Sequence, residues 1–412
     1  MTKGVLPSYH LATDIKLLQL ESDPMMLYGD GITTMQFYNG DGLKAADFLK
    51  KRLVEVAEVN PWIGSSLVQD KKVHGKFVAM RCQKDFPVDS VFEVNKDLKI
   101  HEKMKYSELG KAVTSSVAHI PTGYNLIKTG QPVCKMTVIP GEGSFVVIFS
   151  MSHVIADGFT YYAILNMFSE TGEGPYPMIA VRDESLRAGL PAAVGAKEYK
   201  SMTSPTFSAI LNYIGAAMKA KSDPPTCYYL DEDKLKTMKE EVAREADPAE
   251  YTSTNDIVTA GFARAVRAKM ITMAMDFRGR LENLTKMHAG CYHLGVLFDS
   301  QAHNANVIRK ALNGPQPYSR VKLPGPCMSG NWTTIISNWS SMSKGDLVIP
   351  DCEQTLHIPY VKVEEAIIDT AVVFKARPGK IAMMFFLQNG TVDDLKRELP
   401  IGESVNLDMF GK

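Results

Sequence analysis

The chain has no excess of either charge. Its 412 residues carry 46 basic and 46 acidic side chains, for a formal net charge of zero. That balance argues against a general nucleic-acid binder and against a polybasic membrane-surface protein. Nor does any apolar run approach the roughly 20 residues needed to span a bilayer. The opening MTKGVLPSYHLATDIKL lacks the apolar core of a secretory signal and carries acids too early for a transit peptide. Six cysteines (Cys82, Cys134, Cys227, Cys291, Cys327, Cys352) show no CxxC spacing and read as reduced thiols in a cytoplasmic protein. In that compartment the four sequons at Asn283, Asn331, Asn338 and Asn389 are idle. Internal repeats, low-complexity tracts, a P-loop, GxGxxG and a GxSxG elbow are missing too. Paired zinc ligands are also missing, so no metal is expected.

What the chain does have is length for about two domains and one informative stretch. Ser144–Ser150 is almost continuously apolar, as a strand buried on both faces reads. A short turn then leads to Asp157-Gly158, and from Phe159 the residues Tyr162, Leu165 and Phe168 recur at helical spacing. His153 thus sits at the mouth of a strand–loop–helix unit, where α/β proteins keep their chemistry. In the pattern His-x-x-x-Asp-Gly an imidazole is suited to act as a base near neutral pH. A carboxylate four residues on can turn back and fix the loop, typically through an arginine. A glycine lets the backbone turn or lie close to a ligand. The bland alternative is a loop histidine beside an ordinary Asp-Gly turn.

The rest of the chain supplies candidate elements in order. A strand is predicted near Thr33–Tyr38. A helix follows, with Leu43, Ala46, Phe48, Leu49, Leu53 and Val56 as its apolar stripe and Asn60-Pro61 as its stop. After Trp62-Ile63-Gly64 comes a strand pair at Ser66–Gln69 and Gly75–Cys82. His10, His74, His101 and His119 are assigned to solvated faces. Pro132–Pro140 should pair with Ser144–Ser150 across the turn Gly141-Glu142-Gly143. Six prolines punctuate 173–225, around one helical piece at Phe207–Lys221. Phe207, Ile210, Leu211, Tyr213 and Ile214 favour docking of that helix over a free linker. Cys227–Leu230 and the charged helix Glu232–Glu245 follow. Ser253 and Asp256 fit a capping box for a helix with Ile257, Ala260, Gly261, Ala263 and Val266 inward. Strands are then expected at Met270–Phe277, within HAGCYHLGVL and at Gly330–Trp339. A hairpin at Asp369–Lys375 and Lys380–Gln388 and a helix at Val392–Glu398 close the list.

SHVIADG after a buried strand resembles the chloramphenicol-acetyltransferase-like superfamily of CoA-dependent acyltransferases, closest to BAHD-type two-domain alcohol and amine acyltransferases. The resemblance runs along most of the chain. NPWIGSSLV is similar to the family's opening, Asp276-Phe277-Arg278-Gly279-Arg280 to its central C-domain strand, and Ser337-Asn338-Trp339-Ser340 to its T-S-W segment. The family's Asp-Phe-Gly-Trp-Gly is not found; the chain offers Asp351-Cys352-Glu353-Gln354 instead. The resemblance implies an α/β fold of two similar domains, each a mixed sheet flanked by helices. It places them at 1–172 and 226–412, joined by a long crossover at 173–225. It also implies acyl-CoA as co-substrate, no permanently bound cofactor, and a small-molecule alcohol or amine as acceptor, in a monomer without nucleic-acid partners.

In that reading His153 takes the acceptor's proton, Asp157 holds the loop and Gly158 leaves space for the thioester arm. Ser337 and the Trp339 indole are the implied oxyanion donors, and a bland alternative for Trp339 is a ring capping the core. Ser253 and Thr254 head a helix whose free amides suit a phosphate or pantetheine carbonyl, against the alternative of an ordinary capped core helix. Rival readings within the superfamily are a wax-ester or acylglycerol synthase and a carrier-protein-dependent condensation enzyme. Those usually show two adjacent histidines, whereas Ser152 precedes His153 here. A non-enzymatic binding relative is the remaining alternative, and intact His153, Asp157 and Gly158 count against it.

Overall fold

A computed structural model describes residues 14–70, 77–83, 85–114, 119–172, 174–196, 199–200, 207–245, 251–313, 333–343 and 347–411. Two large mixed sheets dominate it. The first has five strands in the order Glu353–Tyr360, Ile32–Asn39, Ser144–Met151, Cys134–Pro140, Phe92–Val94. The second has seven, ordered His293–Asp299, Met270–Asp276, Thr333–Asn338, Asp369–Arg377, Lys380–Phe386, Thr226–Leu230, Ile401–Ser404. The first is antiparallel except at its Phe92–Val94 edge, and in the second Thr333–Asn338 runs parallel to both neighbours. Ile15–Lys16, Phe77–Arg81 and Ser66–Asp70 form a small third sheet.

Central strands are buried on both faces, which is why they read as unbroken apolar runs. Along Ser144–Met151, Phe145, Val147, Phe149 and Met151 share a core with the helices Gly42–Val59 and Gly158–Asn166. Val146 and Ile148 meet Val372 and Phe374 of the second sheet instead. Ala371 and Val373 turn to the far side, where helix Thr254–Ala265 packs. Alternation of successive side chains thus builds the layers helix, sheet, sheet, helix around three cores. The expected α/β class with two sheet-and-helix halves is what the molecule has.

The expected boundaries do not contain the sheets they were drawn for. Glu353–Tyr360, placed by sequence in the 226–412 unit, pairs antiparallel with Ile32–Asn39 and completes the first sheet. Periodicity reports which faces of a strand are buried, not which sheet it joins.

The crossover is also richer than expected. It contains a second helix, Ser185–Val194, with Pro191 inside. Leu186, Leu190 and Val194 recur four apart and bury in the second core. That packing offsets the roughly 3 kcal/mol of an interior proline. Helix Phe207–Lys219 is present, but Ile210 and Ile214 are 45% and 50% exposed, whereas Asn212 is buried. Asn212 and Gly215 are buried on its inward side, with Leu211 and Tyr213 half-buried beside them.

Two smaller expectations change. Leu43 is exposed rather than in the core, because it lies in the first turn, where the Asp41 carboxylate accepts from its amide at 3.0 Å. His119 is not solvated: its Nε2 lies 3.1 Å from Asp30 Oδ2. His10, His74, Gly75, Pro205, Cys327 and 330–332 lie outside the described residues.

Candidate active site

Strand Ser144–Met151 leaves its core at Ser152, whose amide donates to the Val133 carbonyl at 2.8 Å. His153 follows, half-buried. The chain then turns so that Asp157 caps helix Gly158–Asn166, its carboxylate accepting from the Thr160 amide at 2.9 Å. That helix is buried all round from Thr160 to Leu165, so the loop before it is anchored at both ends.

The arginine partner of Asp157 is Arg278. Its guanidinium donates to both carboxylate oxygens (Nη1 to Oδ2 at 2.8 Å, Nη2 to Oδ1 at 3.2 Å). It also donates to Asp276 at 2.8 Å, to the Thr160 hydroxyl at 2.9 Å, and to the carbonyls of His288 and Gly290 at 2.8 and 2.9 Å. The Tyr292 amide adds a further bond to Asp157 Oδ2 at 2.9 Å. Burial by itself would raise the Asp157 pKa. The Arg278 charge, His293 and the hydrogen bonds outweigh it and hold the carboxyl below its ordinary value. Asp157 is therefore charged, with both carboxylate oxygens engaged by the wall around it.

A second buried arginine works beside the first. Arg182, from the crossover, pairs through Nε with Glu21 at 2.9 and 3.0 Å. Its Nη1 donates to the carbonyls of Ala180 and Ala289, each at 2.8 Å, and Nη2 to Ile155 of the histidine loop at 3.0 Å. Glu21 in turn accepts from the Cys291 amide at 2.8 Å. The consecutive carbonyls of His288, Ala289 and Gly290 are thus held alternately by Arg278, Arg182 and Arg278. Gly290 has φ +143°, and a Cβ there would come within 3.0 Å of Arg182 Nε. With that φ, and with the Tyr292 ring equally close, only a glycine fits against the Arg182 guanidinium.

His153 meets this segment directly. The Cys291 thiol donates to its carbonyl at 2.9 Å, and the sulfur lies 3.9 Å from its Nδ1. Burial pushes the imidazole below its ordinary pKa, with its own backbone and the Asp157 charge opposing only in part. The ring is therefore neutral at neutral pH and carries a lone pair, the state a base requires. Burial pushes the Cys291 thiol well up, so it is not a thiolate. A second imidazole, His293, lies with its ring centroid 5.4 Å from that of His153.

Ser337 and Trp339 leave strand Thr333–Asn338 opposite this loop. Their arrangement corrects one expectation. The Trp339 indole N–H does not point into open space; it donates to Ser337 Oγ at 2.8 Å. With the indole N–H so engaged, Ser337 is the one whose own hydrogen is available to a ligand. The Trp339 ring lies edge-on to Tyr162, 6.1 Å between centroids. Gly158 faces it: a Cβ there would meet Met342 Sδ at 3.1 Å and Trp339 Cδ1 at 3.8 Å.

Ser253 does form the capping box, and its hydroxyl is used there, donating to Asp256 Oδ2 at 2.8 Å. Thr254 begins the helix beside it. This helix end reaches the same region, since Asn338 Nδ2 donates to Asn255 Oδ1 at 3.0 Å. Asp351 takes no part; it is exposed in a turn at φ +57° ahead of strand Glu353–Tyr360. Among the described residues no three metal-ligating side chains converge.

Sequence reasoning missed Glu21, Arg182 and His293. The first two carry no local signal, being far apart in sequence and joined only by folding. His293 stood within the quoted HAGCYHLGVL, but periodicity assigned it nothing beyond a strand start.

Two stacked mixed sheets with an imidazole loop tied across them define the fold that the resemblance implied. No protein-family model and no curated protein matches the chain. Among solved structures it is similar to F. sporotrichioides TRI101 complexed with coenzyme A and T-2, at TM-score 0.59 and 13% identity, covering 96% of this chain and 100% of that one. It is similar also to vinorine synthase, at TM-score 0.57, 13% identity, and 97% and 96% coverage. The condensation domain from the monacolin K polyketide synthase MokA matches at TM-score 0.58, 13% identity, and 93% and 94% coverage. At such identities the likeness is one of fold.

Proposed function

We propose that the protein transfers an acyl group from acyl-CoA to a hydroxyl or amine of a small-molecule acceptor, with His153 as general base. The observation that carries this reading is a half-buried imidazole on a loop tied by Arg278 and Arg182 to the 288–290 segment. His153 takes the acceptor's proton as its oxygen or nitrogen attacks the thioester carbonyl carbon. The new bond forms while the carbonyl π electrons move to oxygen. On collapse the carbon–sulfur bond breaks, and the CoA sulfur leaves with the proton that His153 returns.

Ser337 is the oxyanion donor in this reading, and Trp339 supports it from behind through its indole N–H. Gly158 lets the loop lie close to Met342 and Trp339, where a Cβ would crowd the Met342 sulfur at 3.1 Å. Ser253 and Thr254 contribute the backbone end of their helix, not the Ser253 hydroxyl, to the CoA side. Fold neighbours crystallised with coenzyme A and with T-2 or deoxynivalenol support a CoA donor and a small-molecule acceptor. Ser152 favours CoA over a carrier-protein thioester: where condensation enzymes usually have a second histidine, this buried serine hydroxyl receives the Val154 amide at 3.3 Å. A cytoplasmic monomer, with the two halves meeting at the crossover 173–225, completes the reading.

The pure protein, incubated with a panel of acyl-CoAs and alcohol or amine acceptors, should release free thiol. His153→Ala should lower turnover by about 10²–10⁴-fold; turnover near wild type removes His153 as the base. Ser337→Ala should cost about 10²–10³-fold and Trp339→Phe less. The reverse order would return the direct role to the indole.

A further inference from the structure

We propose that His293 is a specificity-determining residue that binds a second hydrogen-bond donor on the acceptor, beside the group being acylated. The acceptor class is then a 1,2- or 1,3-diol or amino alcohol. This rests on the acyl-transfer reading above.

His293 heads strand His293–Asp299, with its Cα in register with Asp276. Its ring is tilted 35° from that of His153, 5.4 Å away between centroids, and its side chain is 27% exposed. Both imidazoles therefore border the same accessible space. Nδ1 is buried without a hydrogen bond, 4.0 Å from Asp157 Oδ2. That oxygen already accepts from Arg278 Nη1 and the Tyr292 amide, at 2.8 and 2.9 Å.

A carboxylate at this distance favours the tautomer with its proton on Nδ1. Nε2 then keeps the lone pair. It is not among the buried unpartnered atoms, and no hydrogen bond joins it to the described residues, so it faces the open side. Burial and the neighbouring His153 hold the His293 pKa down to about 4, so the lone pair persists at neutral pH.

The surroundings leave this nitrogen as the unfilled position. Asp157, Arg278, Thr160 and the Cys291 thiol all have partners within the wall. An accepting nitrogen asks for a donor on the ligand. With ring centroids 5.4 Å apart and a hydrogen bond of about 2.8 Å at each ring, the pair suits two heteroatoms close together in one small molecule, as on adjacent or next-but-one carbons. His153 removes the proton of one group, and His293 accepts a hydrogen bond from the other without taking its proton. An acceptor with a single hydroxyl leaves His293 unpaired, and sites built around a hydrogen bond reject the analogue that lacks it.

The test compares matched acceptors with acetyl-CoA and longer acyl-CoAs, following thiol release: cis-1,2-cyclohexanediol against cyclohexanol, and 2-aminoethanol against ethanol. Wild-type kcat/KM should favour the difunctional member by about 10–10²-fold. His293→Phe should bring that ratio close to one, and His293→Gln, which retains an accepting oxygen, should keep part of it. No preference in the wild type, or a preference untouched in His293→Phe, overturns the proposal. If the wild type acylates no acceptor, the acyl-transfer reading has failed, and His293 is read separately by imidazole ¹⁵N NMR of the wild-type protein. A shift of the His293 Nε2 signal with cis-1,2-cyclohexanediol but not cyclohexanol supports binding. Equal shifts or none overturn it.

Discussion

Arg278 and Arg182 are the same device used for different ends. Each is a buried guanidinium paired with a buried carboxylate, and each uses Nε, Nη1 and Nη2. Each also grips the 288–290 backbone. The difference lies in where the carboxylate sits. Asp157 belongs to the histidine loop, so Arg278 acts on the geometry of His153 almost directly. Glu21 lies in the N-terminal part of the chain, and its pair touches that loop through the Ile155 carbonyl. A buried pair must recover a desolvation cost of several kcal/mol per ion through its hydrogen bonds. Here one recovers it within the site and the other by gathering three distant parts of the chain: residues 18–21, 180–183 and 289–291.

The comparison breaks most visibly at Asp157→Asn. This change leaves the Arg278 charge buried with only the partly exposed Asp276. Turnover should fall by about 10²-fold or more through loop misplacement, and unfolding free energy by about 3–5 kcal/mol. Initial rates and denaturant unfolding read the two. Glu21→Gln should match it in stability, again about 3–5 kcal/mol, while the folded enzyme keeps turnover within about tenfold of wild type. Equal rate losses in the two variants would erase the distinction between a catalytic tether and an assembly tether.

A double-mutant cycle sharpens it further. Because both arginines hold the 288–290 segment, the two changes should couple by about 0.5–3 kcal/mol in stability. Strict additivity would mean that each clamp stands alone.

The smallest effect separates the clamps from the histidines by pH. His293 and His357, the latter on strand Glu353–Tyr360, are both pushed by burial down to about 4, with His153 adding to the effect at His293. Between the ordinary imidazole value, about 6.5, and about 4 the unfolded chain binds protons that the folded chain refuses. Stability is therefore full above that window and lost as pH falls through it. Asp157, held below its ordinary value, loses its contribution only at lower pH. Melting temperature should accordingly decline on acidification from neutrality toward pH 4, and His293→Phe should flatten part of that decline. An unchanged slope in this variant would show that His293 does not titrate as its burial requires.

Local chemistry wrote much of this into the sequence. The double-faced apolar run of Ser144–Ser150, the Ser253–Asp256 box and the charged helix Glu232–Glu245 depend on neighbours a few residues away. They were legible for that reason. His153, Asp157 and Gly158 were legible as a motif, and the need for an arginine followed from a carboxylate placed beside a base. Pro191 misled because its cost is local while the packing that offsets it is not.

By itself, then, the sequence determined the histidine loop and the strands and helices with strong local signals, such as Ser144–Met151, Gly42–Val59 and Asp369–Arg377, since these follow from periodicity, capping and turn chemistry within short windows. Tertiary structure alone decided that Glu353–Tyr360 crosses into the first sheet, that Trp339 gives its N–H to Ser337, and that Arg182 finds Glu21. It also decided that a second imidazole stands beside the first. Each of these depends on which distant surfaces are buried together, and a buried polar group takes whichever partner the packing brings within hydrogen-bond reach.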